Sequence, residues 1–186
     1  QMKTKYFKNR QEWRTWLADH FDKESEIWFV FPLKNSGKPA LSYNDAVEEA
    51  LCFGWIDSTV KKLDDHHKIQ RFTPRNSKSS FSQANIERMR WLAQKDLLHP
   101  SVGDKVAPLL AKPFIYPDDI LRMIREDEAA WNFFQQTSPA YQRIRLAYID
   151  AARNRPEEFE KRLQHLIKKC KNAQLIPGYG GIDKYY

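Results

Sequence analysis

Cysteine, glycine and long apolar runs are scarce in this chain of 186 residues, and each scarcity excludes a class of protein. Two cysteines cannot form a disulfide framework, which excludes the small secreted domains that depend on one. Cys52 and Cys170 lie in apolar helical patterns, which predicts small buried side chains rather than reactive thiols. No stretch approaches the ~18 apolar residues of a transmembrane helix, so we expect no membrane insertion.

The amino-terminal segment of the sequence reads QMKTKYFKNR and lacks the apolar centre of a secretory signal peptide. We therefore expect a cytoplasmic location for the protein. The periplasm is the alternative, should a leader peptide precede this sequence in the cell.

Apolar residues and positive charge are what the chain has in quantity. Hydrophobic residues make up 41% of the sequence, which excludes a disordered chain and predicts one domain with a real core or two small ones. The formal net charge of +7 favours an anionic partner, such as nucleic acid, an acidic membrane surface or a phosphorylated ligand. A solvated basic surface without a ligand is the alternative.

Two patterns near the start of the chain predict a helix and a buried strand. Asn9, with Glu12 three residues later, is typical of a capped helix start. Apolar residues then recur at helical spacing from Trp13 to Phe21. The run EIWFVFPLK at Glu26–Lys34 is apolar at both odd and even positions, which predicts a strand covered on both faces.

A change of hydrophobic period after Gly54 predicts a β-hairpin. Gly54 is expected to end a helix that begins near Ser42, and the second strand of the hairpin runs from about Lys68 to Thr73. We expect the turn to lie within Asp64–His67, which leaves one face of the hairpin apolar and the other polar. The predicted apolar face carries Ile56, Val60 and Phe72, and the predicted polar face carries Asp57, Thr59, Lys61 and Arg71.

The remainder of the chain predicts helices after a proline-rich connector. We therefore expect an α+β fold, in which a small antiparallel sheet packs against helices and is followed by a helical C-terminal domain. The predicted domains are an α+β N-terminal domain (1–98), a Pro-containing connector (99–117) and a helical C-terminal domain (118–186).

Basic and hydroxyl side chains meet after the hairpin, where the serine-rich run SKSSFS is expected to start the next helix near Ser80. Arg71 and Arg75 precede this helix start, and Asn85 lies one turn into it. A helix N-terminus presents free N–H groups and a partial positive charge, so the arginines beside it would suit a phosphate or a carboxylate. The alternative is a structural role, in which one arginine pairs with Asp57 across the hairpin.

Other chemistries lack a supporting pattern. Asp64–His67 contains metal-ligating residue types, but consecutive turn residues point apart, so we predict no metal site. The sequence contains no nucleophile elbow, no Walker loop and no dinucleotide-binding glycine motif, so we assign no catalytic residue and no cofactor. A basic run from Lys61 to Lys78 interleaves with phenylalanines, which is compatible with nucleic-acid binding but matches no known module.

Several motifs of the sequence resemble a known family. They are ALCFGWID at Ala50–Asp57, FTPR at Phe72–Arg75, SFSQAN at Ser80–Asn85 and WRTWL at Trp13–Leu17. With the helical segment from Asp118 to about Ala173, they resemble the YdeI/OmpD-associated family, also called the bacteriocin-protection family. The resemblance implies a bacterial α+β protein linked to protection against bacteriocins or cationic antimicrobial peptides, and to an outer-membrane porin. It implies no reaction, cofactor or catalytic residue.

The resulting hypothesis is a non-enzymatic binding or stress-protection protein that takes an anionic small molecule or a protein partner on the basic hairpin and the helix start after it. Its ligand-binding residues would be Trp55, Asp57, Lys61, Arg71, Arg75, Ser80 and Asn85. The arginines would hold negative charge, and Ser80 and Asn85 would orient the ligand. Asp57 would position an arginine, and Trp55 would form a wall. An enzyme acting on a small phosphate- or carboxylate-bearing substrate at the same site is the first alternative, and a nucleic-acid-binding module is the second.

Overall fold

The computed structural model describes residues 2–186 and divides the chain into two compact units. The first unit contains the residues up to Ser80 together with Met89–Leu110, and the second contains Phe81–Arg88 and Ala111–Tyr186. No helix among residues 2–186 combines the length and the apolar character needed to cross a bilayer.

The first unit combines a sheet of four strands with helices. Its strands are β1 (Thr4–Tyr6), β2 (Ile27–Pro32), β3 (Trp55–Asp64) and β4 (His67–Pro74). Its helices are α1 (Arg10–His20), α2 (Tyr43–Cys52), the later part of α3 (Gln83–Gln94) and most of α4 (Pro100–Ala111), with a short 3-10 turn at Lys34–Ser36. The α+β fold predicted from the sequence is therefore confirmed.

The sheet is mixed rather than purely antiparallel. Its strand order is β1-β2-β4-β3, in which β1 runs parallel to β2 and the other neighbours are antiparallel. We predicted only the antiparallel part, because β1 has three residues and is too short to show the period of two on which that prediction depended.

Local sequence signals place α1 and α2 as predicted. The Asn9 side chain accepts a hydrogen bond from the Glu12 backbone N–H (2.9 Å) and so caps α1. The Ser42 hydroxyl accepts from the Asp45 N–H in the same way at the start of α2 (3.0 Å). Gly54 follows the end of α2 with φ of 75°, a left-handed conformation that glycine adopts without a Cβ clash.

Strand β2 is buried on both faces, which confirms the prediction from its continuous apolar run. Ile27 and Phe29 lie on the inner face of the sheet, where the Trp13 ring of α1 meets the Phe29 ring edge to face at 5.1 Å. The outer face carries a smaller apolar cluster of Trp28, Val30 and Ile69. Inner face and outer face are used below in this sense.

A β-bulge in β3 overturns the predicted division of the hairpin into an apolar and a polar face. Asp57 pairs with Phe72 and Val60 pairs with Gln70, so the two intervening residues of β3 lie opposite the single residue Arg71. The extra residue reverses which side each later side chain of β3 points to. Asp57 therefore lies on the inner face with Phe72, whereas Lys61 pairs with Ile69 and shares the outer face with Arg71. Ile56, expected beside Phe72, pairs with Thr73 instead.

Helix α4 occupies most of the segment 99–117 that we expected to be a Pro-containing connector. Pro100 lies at its first position, where the missing backbone N–H has no helical partner to lose. Pro108 lies inside the helix, where it removes one backbone hydrogen bond. Prolines in these two settings misled the sequence interpretation. The predicted domain boundaries themselves stay a prediction.

The second unit is helical. It contains the first turns of α3, then α5 (Asp118–Arg125), α6 (Glu128–Gln136), α7 (Pro139–Asp150) and α8 (Pro156–Lys171), with 3-10 turns at Tyr179–Tyr185. Asp127 caps α6, and Ser138 caps α7 ahead of Pro139, as the sequence predicted. Buried residues of α5 to α8 form one apolar core, against which Tyr186 packs.

Candidate functional site

Trp55 belongs to the core of the first unit and does not form the wall of a ligand site. Its side chain is 1% exposed, and its indole N–H donates to the Phe21 carbonyl oxygen (3.1 Å). Its ring meets the Trp16 ring edge to face at 5.7 Å. The role predicted for Trp55 was therefore wrong, because the bulged hairpin directs this side chain toward α1.

Asp57 does not position an arginine. Its carboxylate accepts hydrogen bonds from the Tyr43 hydroxyl (2.8 Å) and from the Gln70 side-chain amide (2.8 Å). The reason is again the bulge, which places Asp57 and Arg71 on opposite faces of the sheet. Asp57 instead satisfies the buried amide of Gln70 at the edge of the inner face.

Arg71 and Lys61 share the outer face, and each keeps hydrogen-bond donors unused. The Arg71 Nε–H donates to Glu26 Oε1 (2.7 Å), and the side chain remains 41% exposed. Its two terminal nitrogens have no acceptor within residues 2–186. The Lys61 ammonium lies 5.0 Å from the centre of the Trp28 ring, and no carboxylate in the described part of the chain pairs with it.

Arg75 and Ser80 lie in the loop after the hairpin, and the structure gives them different surroundings. The Arg75 guanidinium donates to the backbone carbonyls of Asn76 and Ser79, so it ties down its own loop, and partial burial lowers its pKa. The Ser80 side chain is exposed and does not cap α3. Ser82 does so, because its hydroxyl accepts from the Asn85 N–H (3.2 Å).

Asn85 belongs to the second unit, where its side chain is already engaged. Asn85 Oδ1 accepts from Arg88 Nη1 (2.9 Å), and Arg88 Nη2 donates to the Gly180 carbonyl oxygen (3.0 Å). Of the seven predicted residues, Lys61 and Arg71 are the pair that shares one face of one element. The idea of a single cluster at the helix start does not describe the hairpin side chains, since their polar groups divide between two faces.

The sequence interpretation missed Arg145, a buried arginine of α7. Arg145 is 8% exposed, and its Nε has no hydrogen-bond partner among residues 2–186. A signal was present: Arg145 lies four residues from both Tyr141 and Ile149, so it occupies the apolar stripe of the helix. A charged residue on such a stripe is informative, because buried charges are ordinarily paired.

The nucleophiles and metal-ligating residues of the chain have structural surroundings. Burial raises the pKa of the Cys52 thiol to about 12 and that of the Cys170 thiol to about 11, so both remain protonated at neutral pH. The Asp64 carboxylate accepts from the His66 backbone N–H (2.7 Å) and contacts the His67 ring (2.8 Å), and these bonds lower its pKa. Residues 2–186 contain no group of three His, Cys, Asp or Glu side chains arranged to hold a metal ion.

With a mixed sheet in one unit and a helical core in the other, the fold defines an α+β protein of two units. Residues 5–105, more than half of the chain, match a family described as a domain of unknown function (DUF8412), and the chain belongs to that family. Residues 113–173 match the family described as bacteriocin-protection, YdeI or OmpD-associated. Neither the curated proteins nor the solved structures gave a match.

The resemblance to the bacteriocin-protection family is confirmed, but on different residues from those that suggested it most strongly. The matched segment, 113–173, is the helical part of the second unit. The central run from Ala50 to Asn85 lies inside the segment that matches the domain of unknown function. The match supports a bacteriocin-protection type of function in general terms, carried by the helical region.

Proposed function

We propose that this chain is a non-enzymatic binding protein of the bacteriocin-protection type, which holds an anionic small molecule or an acidic protein partner on the outer face of its sheet. The observation that carries the proposal is the pair of Lys61 and Arg71. Both are cations on the same face, and both keep N–H donors without an acceptor in the described part of the chain.

The surroundings of the pair favour binding over simple solvation. Glu26 holds the Arg71 Nε, which fixes the guanidinium while its terminal nitrogens stay available for a bidentate contact. Trp28 holds the Lys61 stem and ammonium in the same way. An anion would therefore meet two partly ordered cations, so less side-chain entropy is lost on binding.

A binding role fits the chain better than catalysis. Cys52 and Cys170 are buried thiols. His99 and Ser101 are in contact (2.7 Å), but the Ser101 backbone N–H also donates to the same histidine nitrogen (3.2 Å). The His99 carbonyl accepts from the Val102 N–H (2.8 Å), so the pair is explained as the start of α4.

A thermal-shift screen over nucleotides, sugar phosphates and carboxylates tests the proposal. A ligand at a hundred times its Kd stabilises the folded state by about 2.7 kcal/mol. We expect at least one anion to raise Tm, with the shift lost in Lys61→Gln and Arg71→Gln. Lys62→Gln is the control, because Lys62 removes the same charge from the neighbouring position but is paired with Asp65 (2.9 Å).

Equal shifts in the wild type and in all three variants would contradict the proposed site. No shift with any compound would contradict the small-molecule form of the proposal. A single-stranded oligonucleotide that binds more tightly than every small anion, with the same dependence on Arg71, would favour the nucleic-acid alternative instead.

A further inference from the structure

Arg145 in the second unit carries a positive charge that the protein does not balance. The side chain is 8% exposed, and its Nε is sealed from solvent without an acceptor. Its terminal nitrogens also make no hydrogen bond or ion pair within residues 2–186. A guanidinium has donors only and stays charged at every physiological pH, so it cannot avoid the cost of burial by losing its proton.

Two other buried arginine side chains of the same unit are satisfied. Arg143, two positions earlier on α7, donates twice to the buried Glu87 carboxylate (2.9 and 2.6 Å). Arg88 donates to Asn85 and to a backbone carbonyl. The unit thus supplies acceptors for buried arginines in two cases, which makes the surroundings of Arg145 a specific feature rather than a general looseness of packing.

A second buried polar group without a partner lies close to Arg145. The Tyr186 hydroxyl is sealed from solvent and has no hydrogen-bond partner in the described chain. Burial raises the pKa of Tyr186, and the charge of Arg145 acts against that effect. The rings of Tyr186 and Tyr141 meet edge to face at 4.7 Å, and Arg145 acts electrostatically on Tyr141 as well.

The remaining neighbours define what kind of group would satisfy this pair. The guanidinium carbon of Arg145 lies 5.6 Å from the centre of the Tyr148 ring, so the surroundings are aromatic. Arg162, which packs on the other side of the argument for charge, already donates to Glu158 (2.9 Å) and to the Tyr148 carbonyl (2.6 Å). Asp183 acts electrostatically on Tyr186 but makes no ion pair with Arg145. One positive charge is therefore left to balance.

We infer that Arg145 and Tyr186 form a binding site for the carboxylate group of a small aromatic acid. A carboxylate brings one negative charge and two oxygens in a plane, which match one guanidinium and one hydroxyl donor. A phosphate would bring more charge than a single arginine balances. The aromatic body of the acid would lie against the tyrosine rings. This site lies in the second unit and does not depend on the proposed outer-face function.

Benzoate is the probe, and the Arg145 Nε–H resonance in a ¹⁵N-labelled sample is the readout. We expect benzoate to shift that resonance in a saturable manner, whereas neutral benzamide leaves it in place. Arg145→Gln should weaken benzoate binding roughly tenfold or more, as expected for the loss of a charged hydrogen bond. Arg125→Gln is the control, because Arg125 is exposed, stacks on Trp131 at 4.6 Å and removes the same charge from the unit; it should leave benzoate affinity unchanged.

Tyr186→Phe keeps the test decisive if Arg145→Gln fails to fold. It removes a buried hydroxyl that has no partner, so Tm should not fall, but benzoate should bind roughly fivefold more weakly because one hydrogen bond is lost. Benzoate affinity that is the same in the wild type and Tyr186→Phe, or in Arg145→Gln when it folds, would overturn the inference. Equal response to benzamide, or tighter binding of phenyl phosphate, would overturn the assignment to a carboxylate.

Discussion

Arginine is buried in opposite ways at two places in this protein. Between α1 and α2 of the first unit, Arg10 and Arg14 both donate to the Glu49 carboxylate, at 2.8 and 2.9 Å. Arg10 also pairs with the fully buried Glu48 (3.0 Å). On α7 of the second unit, Arg145 has no such acceptor among residues 2–186. The first arrangement holds two helices together, whereas the second does not contribute an ion pair to the fold.

The difference separates charges that serve the fold from charges that are available to a ligand. Removing one member of a buried ion pair leaves the other uncompensated and is strongly destabilising. Removing a buried charge that has no partner eliminates a cost instead. Stability measurements can therefore distinguish the two arrangements without any knowledge of a ligand.

The largest effect is expected at the α1–α2 cluster. Glu49→Gln removes the charge that Arg10 and Arg14 share, and it should lower the free energy of unfolding by about 3 kcal/mol. Urea unfolding followed by far-UV circular dichroism measures this change. Glu157→Gln is the control, since Glu157 is exposed on α8 without an ion pair in the described chain, and it should change stability little. A loss no larger than that of the control would break the comparison.

A smaller effect is expected for the exposed pair of Asp119 and Arg153. The Arg153 guanidinium donates twice to the Asp119 carboxylate (2.8 and 2.7 Å) and lowers the pKa of Asp119 to about 2. Because this folded-state pKa lies below the unfolded value of about 3.9, the stabilisation is complete above that value and is lost as the pH falls toward 2. Both side chains are largely solvated, so the effect should stay below about 1 kcal/mol.

Acid titration of stability tests that expectation. Asp119→Asn should lose less stability than the wild type between about pH 4 and pH 2, because it has no carboxylate to protonate there. Asp104→Asn, which removes an exposed carboxylate without an ion pair among residues 2–186, should follow the wild type. Parallel curves for the wild type and Asp119→Asn would show that the pair contributes nothing.

Much of the fold could be predicted because its signals are local. Asn9, Ser42, Asp127 and Ser138 each cap the helix that the sequence assigned to them. The apolar run of β2 identified a strand buried on both faces. Strand β1 escaped prediction because a parallel three-residue edge strand depends on β2, its partner, and not on its own pattern.

The candidate site was predicted less well because it depends on register. Alternation along β3 placed Asp57 with Lys61 and Arg71, and one extra residue in the ladder separated them. No residue type in the run DSTV announces a bulge at that position. Arg145 was overlooked for a different reason: its stripe on α7 was visible, but whether a buried arginine has a partner is decided by tertiary packing.

The unfolding free energies of Arg143→Met and Arg145→Met test the central claim most directly. Both variants replace a buried arginine of α7 by an apolar side chain, and only the first leaves a buried carboxylate, that of Glu87, without its guanidinium. We predict that Arg143→Met loses about 3 kcal/mol in urea unfolding and that Arg145→Met is as stable as the wild type or more stable. An equal loss in both variants would contradict the claim that Arg145 is not part of what holds the fold together.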